Sequence, residues 1–173
     1  VVLVAQLTAP VIAENQRIAI EKAVVKVIPG ATTHKEFYLE DDKLVSQKQK
    51  QDSESIYAGY NAGGELLGVA AKAAAQGYAG MIYLLYGYDP SCECIRGIKV
   101  LKMAETPGLG DKIITDKNFQ ANFDALDARV DAGNQSLANE IVTVKAGTKQ
   151  HDWEIDAISG ATISSVAVGK ALN

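Results

Sequence analysis

Only two cysteines and four prolines occur among the 173 residues, and lysine and arginine form no cluster. Each shortage excludes something. Cys92 and Cys94 stand one residue apart; next-but-one neighbours rarely reach disulfide geometry, and two thiols alone make an incomplete zinc site. Their expected place is alternate positions of a strand or turn, with both side chains facing one way, in preference to a redox or metal role. The formal net charge of −4 offers no positive field to neutralise phosphates, so nucleic acid is excluded as a partner. No apolar run reaches the roughly 20 residues that a membrane-spanning helix needs. The mostly apolar opening, residues 1–13, reads either as the remnant of an N-terminal membrane anchor or juxtamembrane segment, or as a buried first helix.

What is present suits one globular domain over residues 14–173, since 47% of the chain is apolar and 22% charged. Residues 14–28 place Ile18, Val24, Val25 and Ile28 near helical spacing, and Pro29-Gly30 stops that helix. The polar stretch 40–55 reads as an exposed hairpin or loop, with the acidic run Glu40, Asp41 and Asp42 solvated. Two similar patterns follow, one from Gly59-Tyr60 to Val69 and one from Gly87-Tyr88 to Val100, each reading as strand, turn, strand. Phe119, Phe123, Leu126 and Val130 predict a helix over 116–131; residues 140–145 predict a strand before a turn at Gly147, and 162–172 a last helix. Mixed but not alternating elements point to an α+β fold, an antiparallel sheet core with flanking helices. His34 and His151 lack a paired ligand pattern and are expected at the surface, and Trp153 as a core anchor.

The most informative segment is Asp156-x-x-Ser159-Gly160-Ala161-Thr162, followed by Ser164, at the step from a strand-like stretch into a helix. Free N–H groups at a helix start attract phosphate, and Gly160 and Ala161 leave room for one to approach. As bare residue types, however, Thr is also an ordinary N-cap and Ser-Gly an ordinary turn. A second segment, Glu105-Thr106-Pro107-Gly108-Leu109-Gly110, holds a Pro-Gly turn and two glycines that let backbone come close to a flat ligand. A third, Gln76-Gly77-Tyr78-Ala79-Gly80, brings Tyr78 either against such a ligand or into the core.

Asp156-x-x-Ser159-Gly160-Ala161-Thr162 resembles the flavinylation signature of the FMN-binding domain family. The loop at Glu105 is similar to that of the G subunit of Rnf-type ferredoxin:NAD⁺ oxidoreductases and of the related C subunit of the sodium-pumping NADH:quinone reductase. The 76–80 segment departs mildly from the family's Gly-Tyr-Gly-Gly loop, with Ala79 in the third place. The resemblance implies FMN joined through its phosphate to the Thr162 hydroxyl by a separate flavin transferase, which would recognise Asp156, Ser159, Gly160 and Ala161. It further implies an electron-carrying subunit of a membrane redox complex, without a catalytic constellation of its own. Such a subunit has a single N-terminal transmembrane helix, and its domain lies on the outer face of the cytoplasmic membrane. A free-standing flavin reductase and a flavin-free docking module are the rival readings.

Overall fold

The computed structural model describes residues 2–133 and 136–173, with side chains from residue 8 onward. The chain opens with helix α1 (Val2–Val27), which runs unbroken through Pro10. Strands β1 (Thr33–Glu40), β2 (Lys43–Val45), β3 (Glu54–Tyr60), β4 (Leu66–Gln76), β5 (Met81–Asp89) and β6 (Cys94–Lys102) follow. Two short helices come next, α2 (Lys112–Thr115) and α3 (Lys117–Ala121), then strand β7 (Leu126–Asp127). The chain closes with β8 (Val142–Val144), β9 (Glu154–Asp156) and helix α4 (Thr162–Ala171). The main sheet has seven antiparallel strands in the order β2-β1-β3-β4-β5-β6-β7, and β8 and β9 form a separate parallel pair.

Strand alternation supplies the two faces of the sheet. Ile82, Leu84, Ile95 and Ile98 join a core that includes Val168 of α4, whereas Ala70 and Leu85 lie with Val24 and Val27 of α1. Helices therefore cover both faces. The C-terminal end of α1 comes down on glycine: a Cβ at Gly87 would lie 2.0 Å from the Val27 carbonyl oxygen, and one at Gly97 would lie 3.2 Å from Val27 Cα. The two repeated patterns are hairpins, β3 into β4 and β5 into β6.

Several expectations change. Cys92 and Cys94 are joined by a disulfide, their Cα atoms 5.2 Å apart. Glu93 between them takes a left-handed φ of 52°, which turns both neighbours to one side of the hairpin tip. The 116–131 segment is not one helix. It stops at Ala121, after which Leu126 pairs with Ile95, so Phe119, Phe123 and Leu126 reach one core from a helical turn, a bend and a strand. Glu40 is not solvated: 8% exposed, it accepts hydrogen bonds from the Gln49 and Lys50 amides and the Ser53 hydroxyl. The Ser53 bond foremost, then those two amides and the Lys50 charge, hold its carboxyl below the ordinary range against the opposing effect of burial.

Trp153 is not a core anchor either; half-buried, it stacks on exposed His151 with ring centroids 4.4 Å apart. His34 is half-buried, edge-on to Tyr57. In α1, residues 8–19 are exposed, which removes the buried-helix reading for 8–13. No helix of the described residues is long and apolar enough to cross a membrane.

Candidate functional site

Three chain segments meet at the start of α4. The β4–β5 turn is closed by the Gly77 amide donating to the Gly80 carbonyl at 2.8 Å. The loop after β6 reverses at Gly108, φ +76°, and the loop before α4 reverses at Gly160, φ +83°. Between them lies a cavity of about 340 Å³, lined by Tyr78, Glu105, Thr106, Leu109 and Gly110 on one side and Gly160, Ala161, Thr162, Ile163 and Ser164 on the other. That volume falls within the about 300–1,000 Å³ of small-molecule sites. Exposed Tyr78, Leu109 and Ile163 supply apolar area at its mouth.

Thr162 does not cap the helix. The N-cap is Ala161, which makes no side-chain capping bond, and Thr162 is the first helical residue with an exposed side chain. The first intrahelical bond runs from the Ser165 amide to the Ala161 carbonyl at 3.0 Å. The amides of Thr162, Ile163 and Ser164 thus have no intrahelical acceptor, the arrangement that attracts an anion. Ser165 ties the helix to the loop before it: its Oγ accepts from the Ile158 amide at 3.1 Å and donates to the Ala161 carbonyl at 2.9 Å.

Glu105 is 7% exposed. Its carboxylate accepts from the Ala79 amide at 2.9 Å, the Tyr78 amide at 3.3 Å and the Ser164 hydroxyl. Burial acts to raise its pKa, but the bonds from Ser164 and from the Ala79, Tyr78 and Gly80 amides outweigh that, and the carboxyl lies below the ordinary range. Because the folded pKa is depressed, the stability Glu105 contributes is complete above the ordinary carboxylate range and is lost as pH falls through its lower value. Glu105→Gln is therefore expected to flatten the acid side of a plot of urea midpoint against pH; an unchanged acid slope would contradict an ionised Glu105.

The signature residues divide between two sides. Gly160, Ala161, Thr162 and Ser164 line the cavity, whereas Asp156 and Ser159 line a separate cavity of about 320 Å³ with Lys112, Asp116 and Gly147. The Asp156 carboxylate accepts from the Gly147 and Thr148 amides at 2.7 and 3.2 Å, so it shapes the turn before β9. Pro107, Gly108 and Gly80 shape the loops without lining the cavity. Sequence reasoning missed Ile163, Ser165 and Asn122. Asn122, 6% exposed, accepts from the Asp156 amide at 2.9 Å and donates to its carbonyl at 3.1 Å. A second hydroxyl beside Ser164 was the only available signal for Ser165, and Asn122 had none.

A model of the FMN-binding domain matches residues 77–173. Similar proteins include the G subunit of the ion-translocating oxidoreductase complex of Methanosarcina acetivorans, 38% identical over 117 residues, which span 68% of this chain and 54% of that protein. The G subunit of the Na(+)-translocating ferredoxin:NAD(+) oxidoreductase complex of Acetobacterium woodii is 32% identical over 152 residues, spanning 86% of this chain and 68% of that protein. The chain thus spans about half to two thirds of these relatives. NqrC from Shewanella oneidensis has the same fold, with a TM-score of 0.71 at 18% identity over 92% of this chain and 91% of that one.

Proposed function

This chain belongs to the FMN-binding domain family and stands among the G subunits of ion-translocating oxidoreductase complexes, and from that membership we propose that it carries electrons through an FMN held covalently at Thr162. The observation that carries this reading is the placement of the Thr162 hydroxyl, free of capping duty, beside the unbonded amides that open α4. Those amides and the helix dipole suit a phosphate. Tyr78, Leu109 and Ile163 suit a flat apolar ring at the cavity mouth. The residues present therefore fit the group. When bound, FMN supplies the electron chemistry; the chain supplies attachment, position and electrostatics.

The linkage is a phosphoester in which the Thr162 oxygen replaces one oxygen on the FMN phosphorus, with the threonine proton and that oxygen lost as the elements of one water overall, installed by a flavin transferase. In the complete protein the domain sits on the outer face of the cytoplasmic membrane behind a single N-terminal anchor, and its partners are the other subunits of the redox complex. Intact-mass measurement after co-expression with a flavin transferase tests the attachment. Wild type is expected to gain one FMN less water and Thr162→Ala to gain nothing. A wild type left unmodified by a transferase that is active on another substrate would sink the reading.

A further inference from the structure

Resting on the reading of Thr162 as the flavin site, we propose that Glu105 is a positioning residue: its carboxylate clasps the 77–80 turn to the first turn of α4, fixing the wall against which a bound ring would lie. Both oxygens are already committed. Oε1 takes the Ala79 amide, and Oε2 takes the Tyr78 amide and the Ser164 hydroxyl. Space around them is closed as well, because a Cβ at Gly77 would lie 2.6 Å from Oε1 and a Cβ at Gly110 would lie 2.5 Å from Oε2. With three hydrogen bonds already on the carboxylate and glycines pressed against each oxygen, Glu105 lines the cavity with its acceptors turned to the protein.

The clasp also joins segments that are far apart in sequence. Tyr78 and Ala79 follow β4, Glu105 follows β6, and Ser164 is in α4, 59 residues beyond Glu105. Tyr78 is 71% exposed, so its side chain has little packing to fix it and depends on the backbone bond to Glu105 for its place. Hydrogen bonds to an ionised acceptor are about twice as strong as neutral ones. A single carboxylate thus decides how still the ring-facing turn is held.

Amide hydrogen exchange and flavin fluorescence anisotropy test this on flavin-loaded wild type, Glu105→Gln and Ser164→Ala. In Glu105→Gln, exchange at Tyr78 and Ala79 is expected to rise about tenfold or more, with Leu85 in the sheet core unchanged, and the anisotropy of the attached flavin to fall. Ser164→Ala is a smaller change that keeps the acceptor for both amides, so their protection should persist while the anisotropy falls. Unchanged protection at Tyr78 and Ala79 in Glu105→Gln, an equal rise at Leu85, or unchanged anisotropy in both variants would overturn the clasp. If wild type takes up no flavin, the attachment reading fails, and the exchange data alone still decide the clasp.

Discussion

Gly87→Ala is expected to destabilise the domain by about 3 kcal/mol, the upper end of the usual cost of overpacking. The new methyl would have to occupy a point 2.0 Å from the Val27 carbonyl oxygen and 2.6 Å from the Val27 carbonyl carbon. A flexible side chain could swing aside, but this is helix backbone, so α1 as a whole must lift. Lifting it opens the contact between Val24, Val27, Ala70 and Leu85, all essentially without exposed surface. For a domain of this size the loss corresponds to a drop of roughly 6–12 °C in Tm. Gly64→Ala is a useful contrast, because nothing lies within 4 Å of its added Cβ and only the φ of +81° opposes it; it should cost about 1 kcal/mol. Thermal melts that rank the two variants equally would show that α1 does not bear on Gly87 as described.

The second large effect is expected at Asn122. Beyond its two bonds to the Asp156 backbone, its amide donates to the Phe119 carbonyl at 3.0 Å and its oxygen accepts from Lys149 Nζ at 3.4 Å. Truncation to alanine strands the Asp156 amide and carbonyl at the end of β9, each costing about 1–3 kcal/mol, while the Phe119 carbonyl keeps the Asn122 backbone amide. We expect a total of about 3 kcal/mol by urea unfolding and slower FMN loading at Thr162, since β9 leads directly into the loop before α4. Asn122→Asp keeps the acceptor but turns a negative charge toward two carbonyls, and should be at least as damaging. Loading at the wild-type rate in both variants would separate Asn122 from the site.

The hairpins are legible in the sequence because Gly, Asn and Asp-Pro mark turns by their own conformational preferences. The spacing over 116–131 misleads for a physical reason: Phe119, Phe123 and Leu126 must reach one core, and a helical turn followed by a bend and a strand produces the same spacing as a continuous helix. The Cys92–Cys94 disulfide spans a residue with positive φ, Glu93, a local conformation that composition does not announce. At the site, Thr162, Glu105 and Tyr78 stand out as residues, but their division of labour does not. Glu105 lines the cavity and spends its carboxylate on Tyr78, Ala79 and Ser164. Asp156 and Ser159 belong to the same short motif as Thr162, yet reversal of the chain at Gly160 sends them to another cavity. Such partitions depend on tertiary neighbours such as Asn122, far away in sequence.

The order of the main sheet bears on how the domain behaves at high concentration. Its longest strands, β4, β5 and β6, are interior, while the outermost are β2, three residues long, and β7, two residues long. Neither covers its neighbour fully: β2 pairs only with Tyr38, Leu39 and Glu40 of β1, and β7 only with Cys94 and Ile95 of β6, so parts of β1 and β6 also form the rim. Beside β2, the uncovered part of β1 presents His34, Lys35 and Glu36, whose polar and charged side chains make a poor template. On that side the sheet lacks the adhesive border that turns a sheet into a seed for aggregates.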